Sequence, residues 1–220
     1  MITLSDAQGG ALLTAAGAAI ERESFATIDA EAAPHDYDPA QWSVVRRMIH
    51  ASADFDFNGL TRFHPQAISA GLAALRAGSP ILCDVEMIRA GLSKVRMAGF
   101  GCQAHQLIDR PELIERARAE GTTRAVQAMR QAAREGLLDG ALVGIGNAPT
   151  ALLEVIRLID ENGARPALIV GMPVGFVSAA DSKAALMSIG TVPWIAIEGR
   201  KGGSTLVVAA INALMVLAGE

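Results

Sequence analysis

The chain has 220 residues, two cysteines and a formal net charge of −4. That length suits one α/β domain with a sizeable core. The acidic balance, with no basic tract, excludes a nucleic-acid binder of the usual electrostatic kind, and two cysteines without a C-x-x-C pair or Cys/His cluster exclude a disulfide framework and a structural zinc site.

Hydrophobic residues make up 51% of the chain but aromatics only 4%. The apolar content is therefore aliphatic, which suits helices packed on a parallel sheet. Near the N-terminus "ALLTAAGAAI" is apolar, but no basic segment precedes it and the acidic "ERESF" follows. It does not read as a secretory signal, and a cytoplasmic location is expected. "APHDYDP" (33–39) is a turn-rich joint with Pro34 and Pro39 as breakers. In "AQWSVVRRMIHASAD", Trp42, Val45, Met48 and Ile49 share one helical face, and Arg46 and His50 are four apart on another. "FNGLTRFH" reads as a short strand or loop. "PQAISAGLAALRAG" reads as a helix between Pro65 and Gly78. "PILCDV" is an apolar run of strand length, "EMIRAGL" begins a short helix, and "VRMAGFGCQAH" reads as strand plus turn. "PELIERARAEGTTRAVQAMRQAAREG" is helical with a break near Gly121.

The second half repeats one pattern three times: apolar strand, glycine-rich loop, helix. The loops are "GIGNAPT", "GMPVGFVSAADS" and "EGRKGGS". Such alternation predicts a three-layer α/β fold, Rossmann-like, with a mostly parallel sheet and helices on both faces. The loops then gather beyond the carboxyl ends of the strands, where glycine admits close backbone approach and helix N-termini offer amides to anions. The closing "STLVVAAINALMVLAGE" is too short for a membrane span and is interrupted by Asn212, so a buried helix is expected. Neither G-x-G-x-x-G nor a P-loop is present, which makes a nucleotide-binding module a weak reading.

Few polar groups accompany these loops. Ser24, Thr123, Arg124, Asn147, Ser178, Arg200, Lys201 and Ser204 are expected in loops or at helix starts. Of the four histidines, His35, His64 and His105 fall in turns or at helix starts, and His50 alone lies within a helix beside two arginines. Histidine is the usual proton donor or acceptor near neutral pH. If His50 is fully buried, bonded to backbone and remote from the glycine loops, it has no such role.

"IERESF", "RRMIHASAD", "PILCDVEMI", "GNAPTALLEVI", "GMPVGFVSAADSK" and "RKGGSTLVVAAINAL" together resemble the signature stretches of the precorrin-8X methylmutases of cobalamin biosynthesis. The resemblance spans about residues 20–218. It departs at the start, where "MITLSDAQGG" replaces the family's tyrosine–proline segment, and over residues 102–119, which receive no role. The resemblance implies migration of a methyl group from ring carbon 11 to ring carbon 12 of a corrin precursor, metal-free or cobalt-bearing. It implies no metal or organic cofactor of the protein's own, and a homodimer with the macrocycle near its interface. It also implies that His50 is the proton donor and that Ser24, Thr123 and Arg124 contact substrate. Arg47, Gly146, Asn147, Arg200, Lys201 and Ser204 complete the expected substrate-binding set. One domain is expected over residues 1–220, with residues 1–40 an N-terminal extension that helps form the site. Ala51, Ser52 and Ala53 after His50 leave room for a bulky planar ligand. A non-catalytic tetrapyrrole carrier of the same fold is the alternative.

Overall fold

A computed structural model of the chain describes residues 14–220, so the start of the expected N-terminal extension lies outside the described residues. Six strands form one sheet: β1 (Thr61–Phe63), β2 (Ile81–Cys83), β3 (Ala104–His105), β4 (Leu142–Ile145), β5 (Leu168–Gly171) and β6 (Trp194–Ile197). Their spatial order is β1-β6-β5-β4-β2-β3. All neighbouring pairs are parallel except β1 with β6. Between them run α1 (Ala15–Glu31), α2 (Pro39–Ser52), α3 (Asp56–Leu60), α4 (Ala67–Arg76), α5 (Glu86–Gly91), α6 (Lys94–Phe100), α7 (Pro111–Ala119), α8 (Arg124–Arg134), α9 (Pro149–Asn162), α10 (Ala179–Met187) and α11 (Ser204–Gly219).

Alternate strand residues face opposite sides of the sheet. Ile81, Cys83, Leu142, Val170 and Ile195 enter one core with α2, α4 and α11. Leu82, Val143, Ile145, Ile169 and Ala196 enter the other with α7 to α10. The expected three layers result. The chain visits β3 on one side of β2 and β4 on the other. The direction of winding therefore reverses between β2 and β4, where doubly wound sheets open a crevice.

Local signals explain the two helices that carry the site. Asp38 caps α2 through the amides of Ala40 and Gln41, both at 2.8 Å, and Gln41 returns a bond to the Asp38 amide. This reciprocal box fixes the start of the helix. Ala53 ends it in the left-handed region, at φ +52°. Val44, Val45, Met48 and Ile49 form its buried face, and the facing side carries His50. Helix α11 is apolar on most sides and runs through the core, as its composition demands. Its one interior polar side chain is satisfied: Asn212 Oδ1 accepts from the Ser93 amide at 3.0 Å, and Nδ2 donates to the Gly91 carbonyl at 3.1 Å. Among the described residues, no helix is long and apolar enough to cross a membrane.

Two segments depart from expectation. "VRMAGFG" is the helix α6, not a strand. Its alternation of apolar and polar residues mimics a strand, but Ser93 caps its start by accepting from the Arg96 amide, and Gly101 ends it at φ +73°. The strand there is only Ala104–His105. "FNGLTRFH" supplies the end of α3 before the edge strand β1.

Candidate active site

The three glycine loops meet at the carboxyl ends of β4, β5 and β6, and they are packed to backbone contact. A Cβ at Gly146 would lie 2.7 Å from Ser204 Cα and 2.8 Å from its nitrogen. One at Gly202 would run into the Met172 carbonyl, and the Gly203 amide donates to that same carbonyl at 2.8 Å. Glycine is required at both points by close approach. Gly202 and Gly203 also hold φ +158° and +134°.

The first loop is not a free anion cradle. Asp84, at the end of β2 and 1% exposed, accepts from the amides of Gly146 (3.2 Å), Asn147 (2.8 Å) and Ala148 (2.9 Å). Its carboxylate fills the crevice at the winding reversal and spends the donors a ligand would have used. Burial pushes the Asp84 carboxyl above the usual range, opposed by these three amides. Gly146 and Asn147 therefore offer no main-chain donors, although the Asn147 side chain remains exposed. In the third loop the first amides of α11, at Ser204 and Thr205, find no acceptor among the described residues. That helix N-terminus keeps its pull on anions.

His50 is exposed. It lines a cavity of about 450 Å³ between α2, α5 and α11, shared with Arg47, Met87, Gly91, Thr205 and Asn212. Thr205 follows the third glycine loop directly, so His50 is neither buried nor remote from the loops. Its ring meets Phe25 edge-on at 5.2 Å. The guanidinium carbons of Arg46 and Arg47 sit 4.6 and 4.7 Å from the centre of the Phe25 ring. The two arginines are in turn paired with Asp29 and Glu21 on α1. Helix α1 thus presses "IERESF" onto "RRMIH" and orients the imidazole. A larger hollow of about 810 Å³ lies elsewhere, lined by Glu120, Arg130 and Asp139 among others. It contains none of the expected site residues.

The other expected residues lie on several elements. Thr123 caps α8 and its hydroxyl lies 3.0 Å from that of Thr150, in the first turn of α9. This brings the exposed Arg124 beside the first loop, on the sheet face opposite His50. Ser24 is not in a loop: it lies within α1, half-buried, and its hydroxyl donates to the Ile20 carbonyl at 2.9 Å. Arg200 is exposed over Phe176 at 5.7 Å, and Ser178 takes φ +58° before α10. Lys201 is not a free cation. Its ammonium holds Asp54 at 2.5 Å and Asp56 at 2.7 Å, and these carboxylates raise its pKa.

Three residues escape sequence reading. Asp84 is one. Lys183, fully buried in α10, donates to the Lys201 carbonyl at 2.5 Å, and burial lowers its pKa to about 8. Arg96 is half-buried, and burial together with the nearby charge of Arg47 lowers its pKa. Among the described residues no group of three or more His, Cys, Asp or Glu is placed to hold a metal ion.

The family model described as "Precorrin-8X methylmutase" matches residues 19–217. A cobalt-precorrin-8 methylmutase from Leptospira interrogans is 46% identical, covering 94% of this chain and 97% of that protein. A precorrin-8X methylmutase from Pseudomonas aeruginosa is 41% identical, over 90% of this chain and 94% of its own. The crystal structure of a precorrin-8X methylmutase from Thermus thermophilus superposes with a TM-score of 0.86 at 55% identity, covering 92% of this chain and 97% of that one. A match over nearly the whole chain, at these identities, makes this protein a member of the precorrin-8X methylmutase family.

Proposed function

We propose that the chain moves a methyl group from ring carbon 11 to ring carbon 12 of precorrin-8X or its cobalt form, giving hydrogenobyrinic or cobyrinic acid. One carbon–carbon bond breaks, one forms, and no atom enters or leaves. The observation that carries this reading is the exposed His50 imidazole, lining a cavity beside the third glycine loop. In the proposal His50 lends a proton or hydrogen bond to the conjugated ring and recovers it afterwards, which is worth about 10²–10⁴-fold in rate. The rest of the work is orientation and electrostatics, as an intramolecular shift requires.

The substrate carries several carboxylates. Arg47, Arg124 and Arg200, the side chains of Thr123, Asn147 and Ser204, and the N-terminal amides of α11 are the donors proposed for them, while Ser24, whose hydroxyl proton goes to the Ile20 carbonyl, is proposed to contact substrate without donating. Gly146 serves by letting the first and third loops touch. In this reading the protein needs no cofactor and each chain acts as one domain, with the N-terminal extension contributing through Phe25. The working unit is a cytoplasmic homodimer. The exposed Phe176 and Val177 of the second loop, 87% and 82% accessible, suit a surface that a second copy covers.

Absorbance tests the reading, because migration changes the conjugation of the ring. Enzyme at one-hundredth of the substrate concentration is mixed with metal-free or cobalt-loaded substrate. Complete conversion of either supports the proposal and identifies the physiological form. A spectral change that stops at one equivalent of protein indicates a carrier and refutes catalysis.

A further inference from the structure

Two lysines act in series next to the candidate site. Lys183 on α10 is fully buried, yet among the described residues its only bond is to the main-chain carbonyl of Lys201, at 2.5 Å. Among the described residues no carboxylate pairs with it. A buried ammonium or amine without an acid is expensive, and such groups persist where they hold something in place. What it holds is the residue just before Gly202 and Gly203, the two glycines whose backbone is pressed on Met172 and starts α11.

The side chain of that same Lys201 runs the other way. It spans the gap to Asp54 (2.5 Å) and Asp56 (2.7 Å), and its ammonium lies 5.8 Å from the centre of the Phe57 ring. Asp54 is four residues beyond His50, just past the left-handed Ala53 that ends α2. The Lys201 charge holds the Asp54 carboxyl below its ordinary range. One residue thus joins the buried lysine, by its carbonyl, to the end of the His50 helix, by its ammonium.

We propose that Lys183 and Lys201 are positioning residues: together they brace the end of α2 against the start of α11 and so fix His50 relative to the third loop. The brace rests on the methyl-shift reading for its catalytic consequence, but its mechanical part stands alone. A displacement of His50 by about an ångström costs on the order of 10²-fold in rate.

The test uses Lys183→Met, Lys201→Met and Lys201→Arg in the full chain. Methionine fills nearly the volume of the buried lysine, so Lys183→Met is expected to fold, and thermal melting checks this. Deuterium uptake is followed over residues 53–57 and 199–205, with α8 and α9 as the internal control. The brace predicts faster exchange in both segments for both methionine variants, with the control helices unchanged. Slow, wild-type exchange of residues 53–57 in Lys183→Met overturns it. With precorrin-8X as probe, both methionine variants are expected to lose about tenfold or more in kcat with KM nearly unchanged, and Lys201→Arg to recover most of the loss. A fall in melting temperature with kcat intact would mark the lysines as merely structural and would overturn the proposal. If the wild-type chain converts no precorrin-8X, the functional reading fails and the exchange data alone decide the brace.

Discussion

Replacing Lys183 by methionine has a consequence that can be worked out in advance. Burial holds the Lys183 ammonium at about 8 instead of 10.5. At about 1.4 kcal/mol per tenfold, that gap is a cost of about 3 kcal/mol to the folded state at pH 7. The sign follows from proton counting. Between these two pH values the unfolded chain binds the proton and the folded chain does not, so wild-type stability rises with pH across the window. Lys183→Met removes the cost but orphans the Lys201 carbonyl, which gives back about 1–3 kcal/mol. At pH 7 the variant is therefore about as stable as wild type, or slightly more. Its advantage should shrink by about 2–3 kcal/mol between pH 7 and pH 10. Buried Cys83, pushed up to about 12 by its surroundings, acts in the opposite direction above pH 9, where the unfolded thiol ionises first. Only the difference between the two proteins isolates the lysine. Urea denaturation at five pH values between 7 and 10 supplies it. A difference that stays constant over that range would refute the idea that Lys183 is buried as a depressed amine.

Three further outcomes follow from the same geometry. Asp84→Asn turns one of the acceptors facing Gly146, Asn147 and Ala148 into a donor, and should cost about 2–4 kcal/mol in denaturant unfolding; a cost below about 0.5 kcal/mol would mean that the carboxylate does not hold the loop. Gly146→Ala forces a methyl onto the Ser204 backbone, which cannot give as a flexible side chain would. A loss of about 1–3 kcal/mol is expected, with a fall in turnover, and wild-type melting and turnover together would show that the loops are not in contact. Asp38→Ala removes the cap of α2 far from the chemistry. It should lower stability by about 1 kcal/mol, or about 2–4 °C in melting temperature, while kcat stays within twofold.

The parts of this protein that read well from sequence are those encoded locally. Each βα unit of the second half announces itself within thirty residues, by an apolar run, a glycine turn and a periodic helix. The turn-rich joint around Pro34 and Pro39 and the break near Gly121 are equally local. His50 stands out because, of the four histidines, it alone lies within a helix beside two arginines. What escaped is long-range or ambiguous. Asp84 lies 62 residues from the Gly146 amide it satisfies, and in "PILCDV" it looks like the polar end of an apolar strand. Lys183 sits in "AADSKAAL", which reads as a solvated turn of helix. Its burial is imposed by a loop 18 residues away. Helix α6 was hidden by an alternating pattern that its two caps overrule. Ser24 and Lys201 were found as residues but not as environments. A serine inside α1 bonds its own helix, and a lysine facing two aspartates is no longer available to a substrate carboxylate.

The central claim is that His50 exchanges a proton or hydrogen bond with the migrating system, and its most direct test is the turnover of His50→Ala. Precorrin-8X conversion by absorbance is compared with wild type, with corrinoid product binding and thermal melting measured on the same samples. The account predicts a loss of about 10²–10⁴-fold in kcat, with melting preserved because the imidazole is solvent-exposed and contributes little to either core. Conversion within about threefold of wild type would contradict it, and would leave the cavity between α2, α5 and α11 as a place where the macrocycle rests and not where its chemistry is promoted.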